Sequence, residues 1–174
     1  MNAANKLTIF RIILIPVFLA LLYIDFPVSS YAAMAVFIIA GLTDIADGYI
    51  ARRRGQETDF GRFLDPLADK ILVVAAMLWF VEKGVMPAWV ALIVIIREFM
   101  VTGLRLIAVD NGRVIAAGLL GKIKTVVTMV CLIAMFLELR PWMIIVCLTA
   151  ITVTTLVSGV EYFIKNKDII NWKK

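Results

Sequence analysis

The sequence predicts an all-α, polytopic membrane protein with six transmembrane helices and a short N-terminal segment on the membrane surface. Of its 174 residues, 63% are hydrophobic, and the mean hydropathy is +0.97, whereas average protein sequences are about 45–50% apolar. Its apolar runs are long enough to cross a hydrocarbon core of about 30 Å. We therefore expect residues 1–174 to form a single membrane domain.

Charged or proline-containing links separate the predicted spans, because proline and polar turn residues interrupt apolar helices. Residues 2–11 form the surface entry, and links follow at 25–30, 52–59, 82–84, 110–113 and around Arg140-Pro141. The spans are expected at about residues 9–24, 31–51, 60–81, 87–108, 122–139 and 141–164. Asp59 is a plausible N-cap for the third span.

The distribution of basic residues predicts the orientation in a cell membrane. Six spans place both termini on one side, and that side receives Lys6, Arg52, Arg53, Arg54, Arg113, Lys122, Lys165, Lys167, Lys173 and Lys174. The opposite side receives only Lys83 and Arg140. The positive-inside rule makes the basic side cytoplasmic. The net charge of +5 suits anionic lipid head groups and phosphate substrates better than nucleic acid.

The residue types exclude several chemistries. The chain has no histidine, which rules out Ser-His and Cys-His nucleophile pairs and imidazole metal ligands. Cys131 and Cys147 lie inside apolar runs and are interpreted as small hydrophobic residues.

Four aspartates at the inner ends of the second and third spans predict a metal site. Asp44 and Asp47 are i,i+3 neighbours on a helix, and Asp65 and Asp69 are i,i+4 neighbours that continue a stripe from Gly61. If the charged link turns the chain back, the four carboxylates converge and need a cation between them. Oxygen donors without Cys or His suit Mg²⁺ or Mn²⁺.

The spacing D-x2-D-G-x2-A-R-x8-G-x3-D-x3-D resembles the signature of the CDP-alcohol phosphotransferase family, with no position missing. The resemblance implies that Asp44, Asp47, Asp65 and Asp69 hold one or two divalent ions. It also implies that Asp69 is the general base that deprotonates the acceptor hydroxyl. Metal ligation would lower the basicity of Asp69, so its two roles compete.

The same resemblance implies a site for the CDP-linked lipid. The N-terminal Asn5, Leu7, Thr8 and Arg11 match a family element, although helix capping and snorkelling explain these residues about as well. Gly48 allows close approach to the backbone, and Arg52 can hold a phosphate bidentately. The residues implied to contact the CDP-lipid are Asn5, Thr8, Gly48, Ala51, Arg52 and Gly61.

A second polar set suggests the acceptor. Arg97, Arg105, Lys122 and Lys124 lie in or beside spans, where cations need partners. Arg97 and Glu98 can instead neutralise their neighbours. The remaining positive charge fits a dianionic phosphate, and the segments around Arg97 and Lys122 look like elements of bacterial phosphatidylglycerophosphate synthases. That resemblance implies transfer of the phosphatidyl group from CDP-diacylglycerol to sn-glycerol 3-phosphate by a bacterial, homodimeric enzyme.

Other interpretations remain open at this point. The same fold can use another acceptor, such as inositol phosphate, serine or phosphatidylglycerol. A cation transporter would place aspartates near the bilayer midplane in discontinuous helices with repeat symmetry, and no repeat is visible in the sequence. A purely structural subunit has no use for four converging acids. The recognisable segments end at Thr125, and the last two spans carry no motif.

Overall fold

The computed structural model describes residues 3–24, 28–54, 59–110, 112–113, 115, 118–138 and 140–169, with side chains described outside 3–9, 44–54, 59–69 and 169. The helices are α1 (Ala3–Tyr23), α2 (Ser29–Arg54), α3 (Asp59–Glu82), α4 (Ala88–Asp110), α5 (Leu119–Met135) and α6 (Pro141–Lys165). A 3₁₀ turn, Lys167–Ile169, follows α6. No strand occurs in these described ranges, which confirms the all-α prediction.

Residues 1–79 form one compact unit, in which α1 packs against α2. Ala33, Phe37 and Ala40 recur at helical spacing on α2 and are fully buried. The ring of Phe37 contacts that of Phe18 on α1, with centroids 5.8 Å apart. Small alanines on either side of a buried aromatic ring allow the two helices to pack closely.

Residues 80–174 form a second compact unit, in which α4 and α5 both pack against α6. Val101, Leu104 and Ala108 on α4 form a buried cluster with Tyr162 on α6. Elsewhere in this unit the rings of Phe80 and Phe136 contact each other, with centroids 4.8 Å apart. Helix α6 therefore contacts both α4 and α5 within this unit.

The fifth helix corrects the predicted boundaries. It runs from Leu119 to Met135, whereas the apolar pattern predicted about 122–139. Gly118 caps its start in an extended conformation, and Glu138 adopts a positive φ of 51° just past its end. The prediction ran too far because Phe136 and Leu137 continue the apolar run while the backbone already turns. Hydropathy reports burial in an apolar medium and does not report where a helix ends.

The first helix also differs in form from the sequence expectation. The predicted surface entry, residues 2–11, is continuous with the first span from Ala3 onward. Its location on the membrane surface stays a prediction.

Among the described residues, one helix is both long and apolar enough to cross a membrane by length and composition, Pro141–Lys165. The apolar segments Phe10–Tyr23 and Ser29–Thr43 are shorter. Helix α4 has 23 residues, but Arg97, Glu98 and Arg105 interrupt its apolar character. Charged residues inside an apolar helix commonly mark a polar site.

Candidate active site

The backbone supports the helical spacing on which the metal-site prediction depends. Asp44 and Asp47 lie within α2, and Asp65 and Asp69 lie within α3. Their side chains are outside the described residues. For Asn5, Thr8, Gly48, Ala51, Arg52 and Gly61, too, only the backbone is described. The predicted metal and CDP-lipid contacts of these residues therefore stay predictions.

The chemistry of the donor set fits a hard divalent ion. The four aspartates offer oxygen atoms only, which is the ligand type that Mg²⁺ and Mn²⁺ prefer. Among the side chains that the structure describes, no group of three or more acidic, cysteine or histidine residues offers an alternative metal site.

A buried ionic cluster on α4 and α5 contains two of the four predicted acceptor residues. Glu98 Oε1 accepts hydrogen bonds from Arg97 Nη1 at 2.9 Å and from Lys124 Nζ at 2.7 Å. The side chains of Lys124, Arg97 and Glu98 are only 6%, 13% and 20% exposed. One carboxylate oxygen therefore holds two desolvated cations, and the cluster carries a net positive charge. We call Arg97, Glu98 and Lys124 the ionic cluster.

Two glycines enclose the side chain of Arg97. A Cβ atom at Gly121 on α5 would lie 3.4 Å from Arg97 Nη2, and one at Gly159 on α6 would lie 3.3 Å from Arg97 Cγ. The contact at Gly159 is tighter than an ordinary van der Waals contact, whereas the one at Gly121 involves the far end of the arginine side chain. The Nε–H of Arg97 is buried and has no hydrogen-bond partner among the described residues. A buried donor in this condition is costly unless a ligand or water satisfies it.

Arg105 contacts a different residue. Its Nε–H donates to the Tyr162 hydroxyl at 3.1 Å, and its guanidinium carbon lies 5.6 Å from the centroid of that ring. Tyr162 is buried, with 6% of its surface exposed, whereas Arg105 is exposed. Cation–π contacts of this length are attractive. The fixed tyrosine therefore restrains an exposed arginine.

The predicted acceptor residues thus fall into three situations. Arg97 and Lys124 lie together around Glu98, Arg105 rests on Tyr162, and Lys122 is exposed near the start of α5. Arg97 and Glu98 form an ion pair, as the alternative interpretation expected. Lys124 contributes a second formal positive charge to the same carboxylate.

Sequence reasoning missed the contribution of α6. Gly159 and Tyr162 each contact an arginine of the predicted acceptor set. A usable signal exists, since small or polar residues recur at positions 155, 158, 159 and 162, which share one helical face. Within an otherwise apolar span this stripe was a reason to expect a polar neighbour.

Comparison with known proteins identifies the family. The model of the CDP-alcohol phosphatidyltransferase family matches residues 1–158. The chain belongs to this family. A relative from Bacillus subtilis (strain 168), named CDP-diacylglycerol–glycerol-3-phosphate 3-phosphatidyltransferase, is 42% identical over 95% of this chain and 95% of its own length. The recognition made from the aspartate signature is therefore confirmed.

Two further members of the family resemble the chain over most of its length. One from Escherichia coli (strain K12), named CDP-diacylglycerol–glycerol-3-phosphate 3-phosphatidyltransferase, is 41% identical over 75% of this chain and 74% of its own. One from Mycobacterium tuberculosis (strain H37Rv), named probable phosphatidylglycerophosphate synthase, is 39% identical over 92% of this chain and 79% of its own. Family membership favours a transferase over the transporter and structural-subunit interpretations.

Proposed function

We propose that this protein transfers the phosphatidyl group from CDP-diacylglycerol to sn-glycerol 3-phosphate, giving phosphatidylglycerophosphate and CMP. The observation that carries the proposal is the 42% identity, over 95% of both chains, to a relative whose name states this activity. The complete aspartate signature supports it. The enzyme is a phosphatidyltransferase of phospholipid biosynthesis.

The reaction is a single displacement at phosphorus. Asp69 accepts the proton of the glycerol hydroxyl, whose oxygen forms a bond to the β-phosphorus of CDP-diacylglycerol. The bond from that phosphorus to the bridging oxygen breaks, and the oxygen leaves with CMP. A carboxylate base suits this step because a hydroxyl that keeps its proton is a weak nucleophile. A covalent aspartyl intermediate would divert a carboxylate that the metal needs.

Asp44, Asp47, Asp65 and Asp69 would hold one or two Mg²⁺ or Mn²⁺ ions. When bound, such an ion neutralises charge on the diphosphate oxygens. Arg52 holds a phosphate of the CDP-lipid, and Gly48, Ala51 and Gly61 leave room for it. Asn5 and Thr8 contact the nucleotide part at the membrane surface.

The acceptor phosphate binds to Arg97, Arg105, Lys122 and Lys124. In formal charges, the ionic cluster has two cations, Arg97 and Lys124, and one carboxylate, Glu98. The unsatisfied Nε–H of Arg97 is a buried donor that a phosphate oxygen can accept. Both features favour an acceptor that carries a dianionic phosphate. Serine has no phosphate group and would match neither feature.

The protein spans the bacterial cell membrane six times, with the site open to the cytoplasm, and acts as a homodimer of single-domain subunits. Even α5, with 17 residues, is about 26 Å long at 1.5 Å per residue and reaches the lower limit for a span. The basic residues assigned to the cytoplasmic side support the orientation.

CMP release by the purified protein tests the proposal. CDP-diacylglycerol is supplied with Mg²⁺ or Mn²⁺ and, separately, with glycerol 3-phosphate, inositol phosphate or serine. We expect release only with glycerol 3-phosphate. Release with a different acceptor would retain the family and contradict the substrate, and no release from folded protein would contradict the transferase itself.

The Asp69→Asn variant tests the proposed base in the same assay. Amide for carboxylate preserves the shape and removes the proton acceptor, and general bases contribute about 10²–10⁴-fold. We expect CMP release to fall by at least about 10²-fold. Asp168→Asn is the matched control, because that aspartate is exposed and pairs with Arg113 on the surface. Equal activity of the two variants would remove Asp69 from the mechanism.

A further inference from the structure

Helix α6 has a polar face turned into the second unit. Thr155, Ser158 and Tyr162 are 0%, 2% and 6% exposed, and Gly159 lies on the same face. The remaining surface of this part of α6 is apolar and exposed, at Leu156, Val157, Val160 and Ile164. Because α4 and α5 both pack on α6, the polar face lies next to the helices that carry the basic residues.

Gly159 provides the space in which the stem of Arg97 lies. A Cβ at this position would be 3.3 Å from Arg97 Cγ, which is tighter than an ordinary van der Waals contact. The Cγ atom is close to the backbone of Arg97, so it cannot move aside as the far end of the side chain can. A larger residue at 159 therefore requires the stem of Arg97 to give by a few tenths of an ångström, which changes the position of its guanidinium group.

The hydroxyl of Tyr162 accepts one hydrogen bond from Arg105. The hydrogen bond to its hydroxyl uses Nε of Arg105, which leaves both terminal nitrogens outside that contact. A guanidinium presents its terminal nitrogens to phosphate as a planar fork. The tyrosine thus fixes the direction of the side chain without occupying the atoms that bind an anion.

We propose that Gly159 and Tyr162 are positioning residues through which α6 orients Arg97 and Arg105 for the phosphate of the acceptor. This inference rests on the proposed function, because it assigns the two arginines to acceptor binding. Restraining long side chains before the ligand arrives removes part of the entropy cost of binding. Neither residue touches the substrate, so their effects appear in acceptor binding rather than in the chemical step.

Tyr162→Phe removes the hydroxyl and keeps the ring. We expect the KM for glycerol 3-phosphate to rise about three- to ten-fold, as for the loss of one hydrogen bond. The kcat and the KM for CDP-diacylglycerol should stay within about two-fold. Tyr31→Phe removes a hydroxyl from a half-exposed position on α2 and should change none of these values.

Gly159→Ala adds one methyl group against Arg97. We expect a rise in the KM for glycerol 3-phosphate of about ten-fold, from the loss of one charged contact to phosphate. Gly103→Ala is the matched control, since a Cβ there meets no described atom within 4 Å on α4. Thermal unfolding of each variant, measured in the same detergent, separates a local effect from misfolding.

A double substitution tests whether Tyr162 acts through Arg105. Arg105→Lys removes the Nε donor and retains a positive charge, so it should raise the KM by itself. If the inference holds, Tyr162→Phe adds less than about two-fold in the Arg105→Lys background, because the contact is already lost. Independent, multiplicative effects of the two substitutions on the KM would overturn it, as would equal effects on the KM of both substrates.

The acceptor that supports CMP release by the wild-type protein shows whether the proposed function or the positioning inference has failed. Release of CMP with inositol phosphate instead of glycerol 3-phosphate contradicts the proposed function alone, and the same comparisons are then made on the KM for that phosphate. Release with serine alone overturns both, because that acceptor has no phosphate for the arginines.

Discussion

Glu98→Gln is predicted to destabilise the protein more than Lys124→Met does, although both remove the ion pair between Glu98 and Lys124. Glu98 Oε1 accepts from both Arg97 and Lys124. Replacing Glu98 leaves two cations, only 13% and 6% exposed, without the carboxylate that they share. Replacing Lys124 with an apolar side chain of similar length leaves Glu98 paired with Arg97.

The magnitudes follow from this asymmetry. Removing the shared partner of a buried ion pair costs about 3 kcal/mol or more, whereas losing the one hydrogen bond from Lys124 to Glu98 costs about 1 kcal/mol. For a chain of this size, 1 kcal/mol corresponds to about 2–4 °C in Tm. We therefore expect Tm to fall by about 6–12 °C for Glu98→Gln and by about 2–4 °C for Lys124→Met.

The assay is thermal unfolding of purified protein at fixed detergent and lipid content, read as the fraction that stays monodisperse after heating. Glu161→Gln is the control, because it breaks an ion pair with Lys165, whose side chain is 67% exposed. Such a pair contributes less than about 1 kcal/mol. A fall in Tm for Lys124→Met that equals or exceeds that for Glu98→Gln would refute the shared-carboxylate reasoning.

Three further predictions concern the metal, the topology and the protein surface. Chelation should abolish CMP release. Because the site is expected to prefer a small octahedral ion, Mg²⁺ or Mn²⁺ should restore the activity and Ca²⁺ should not. Full activity in the presence of chelator would contradict the metal requirement. The topology is tested in a variant whose two cysteines are replaced. Lys83→Cys should then react with an impermeant thiol reagent in intact cells, and Arg113→Cys should react only after permeabilisation. Labelling of both positions from outside would contradict six spans. Arg113→Ala should lower Tm by less than about 2 °C, because its pair with Asp168 is about two-thirds exposed, and a larger fall would show that the pair stabilises the fold.

The sequence predicted the helices well because apolar runs between charged or proline-containing links carry most of the information. Pro141, for example, begins α6, where its missing N–H costs nothing. The end of α5 was harder to predict, because Phe136 and Leu137 are apolar yet lie in a turn. Where a helix ends depends on backbone geometry, such as the positive φ of Glu138, and hydropathy does not encode it.

The candidate site was predictable to the extent that it is local in sequence. The aspartate spacing within α2 and α3 is a helical pattern, and the basic residues of α4 and α5 stand out in an apolar context. The contacts of Arg97 with Gly121 and Gly159 join three helices that are distant in sequence. Such contacts follow from tertiary packing, so no local pattern on α4 alone reveals them.

Transfer of labelled glycerol 3-phosphate into lipid tests the central claim most directly. The purified protein is incubated with CDP-diacylglycerol, a divalent ion and the labelled acceptor, and organic-phase label and released CMP are both quantified. We predict one label incorporated per CMP released, in a product that retains the acceptor's phosphate. CMP release without label in the lipid would mean that water or another acceptor receives the phosphatidyl group, which would contradict the proposed transfer.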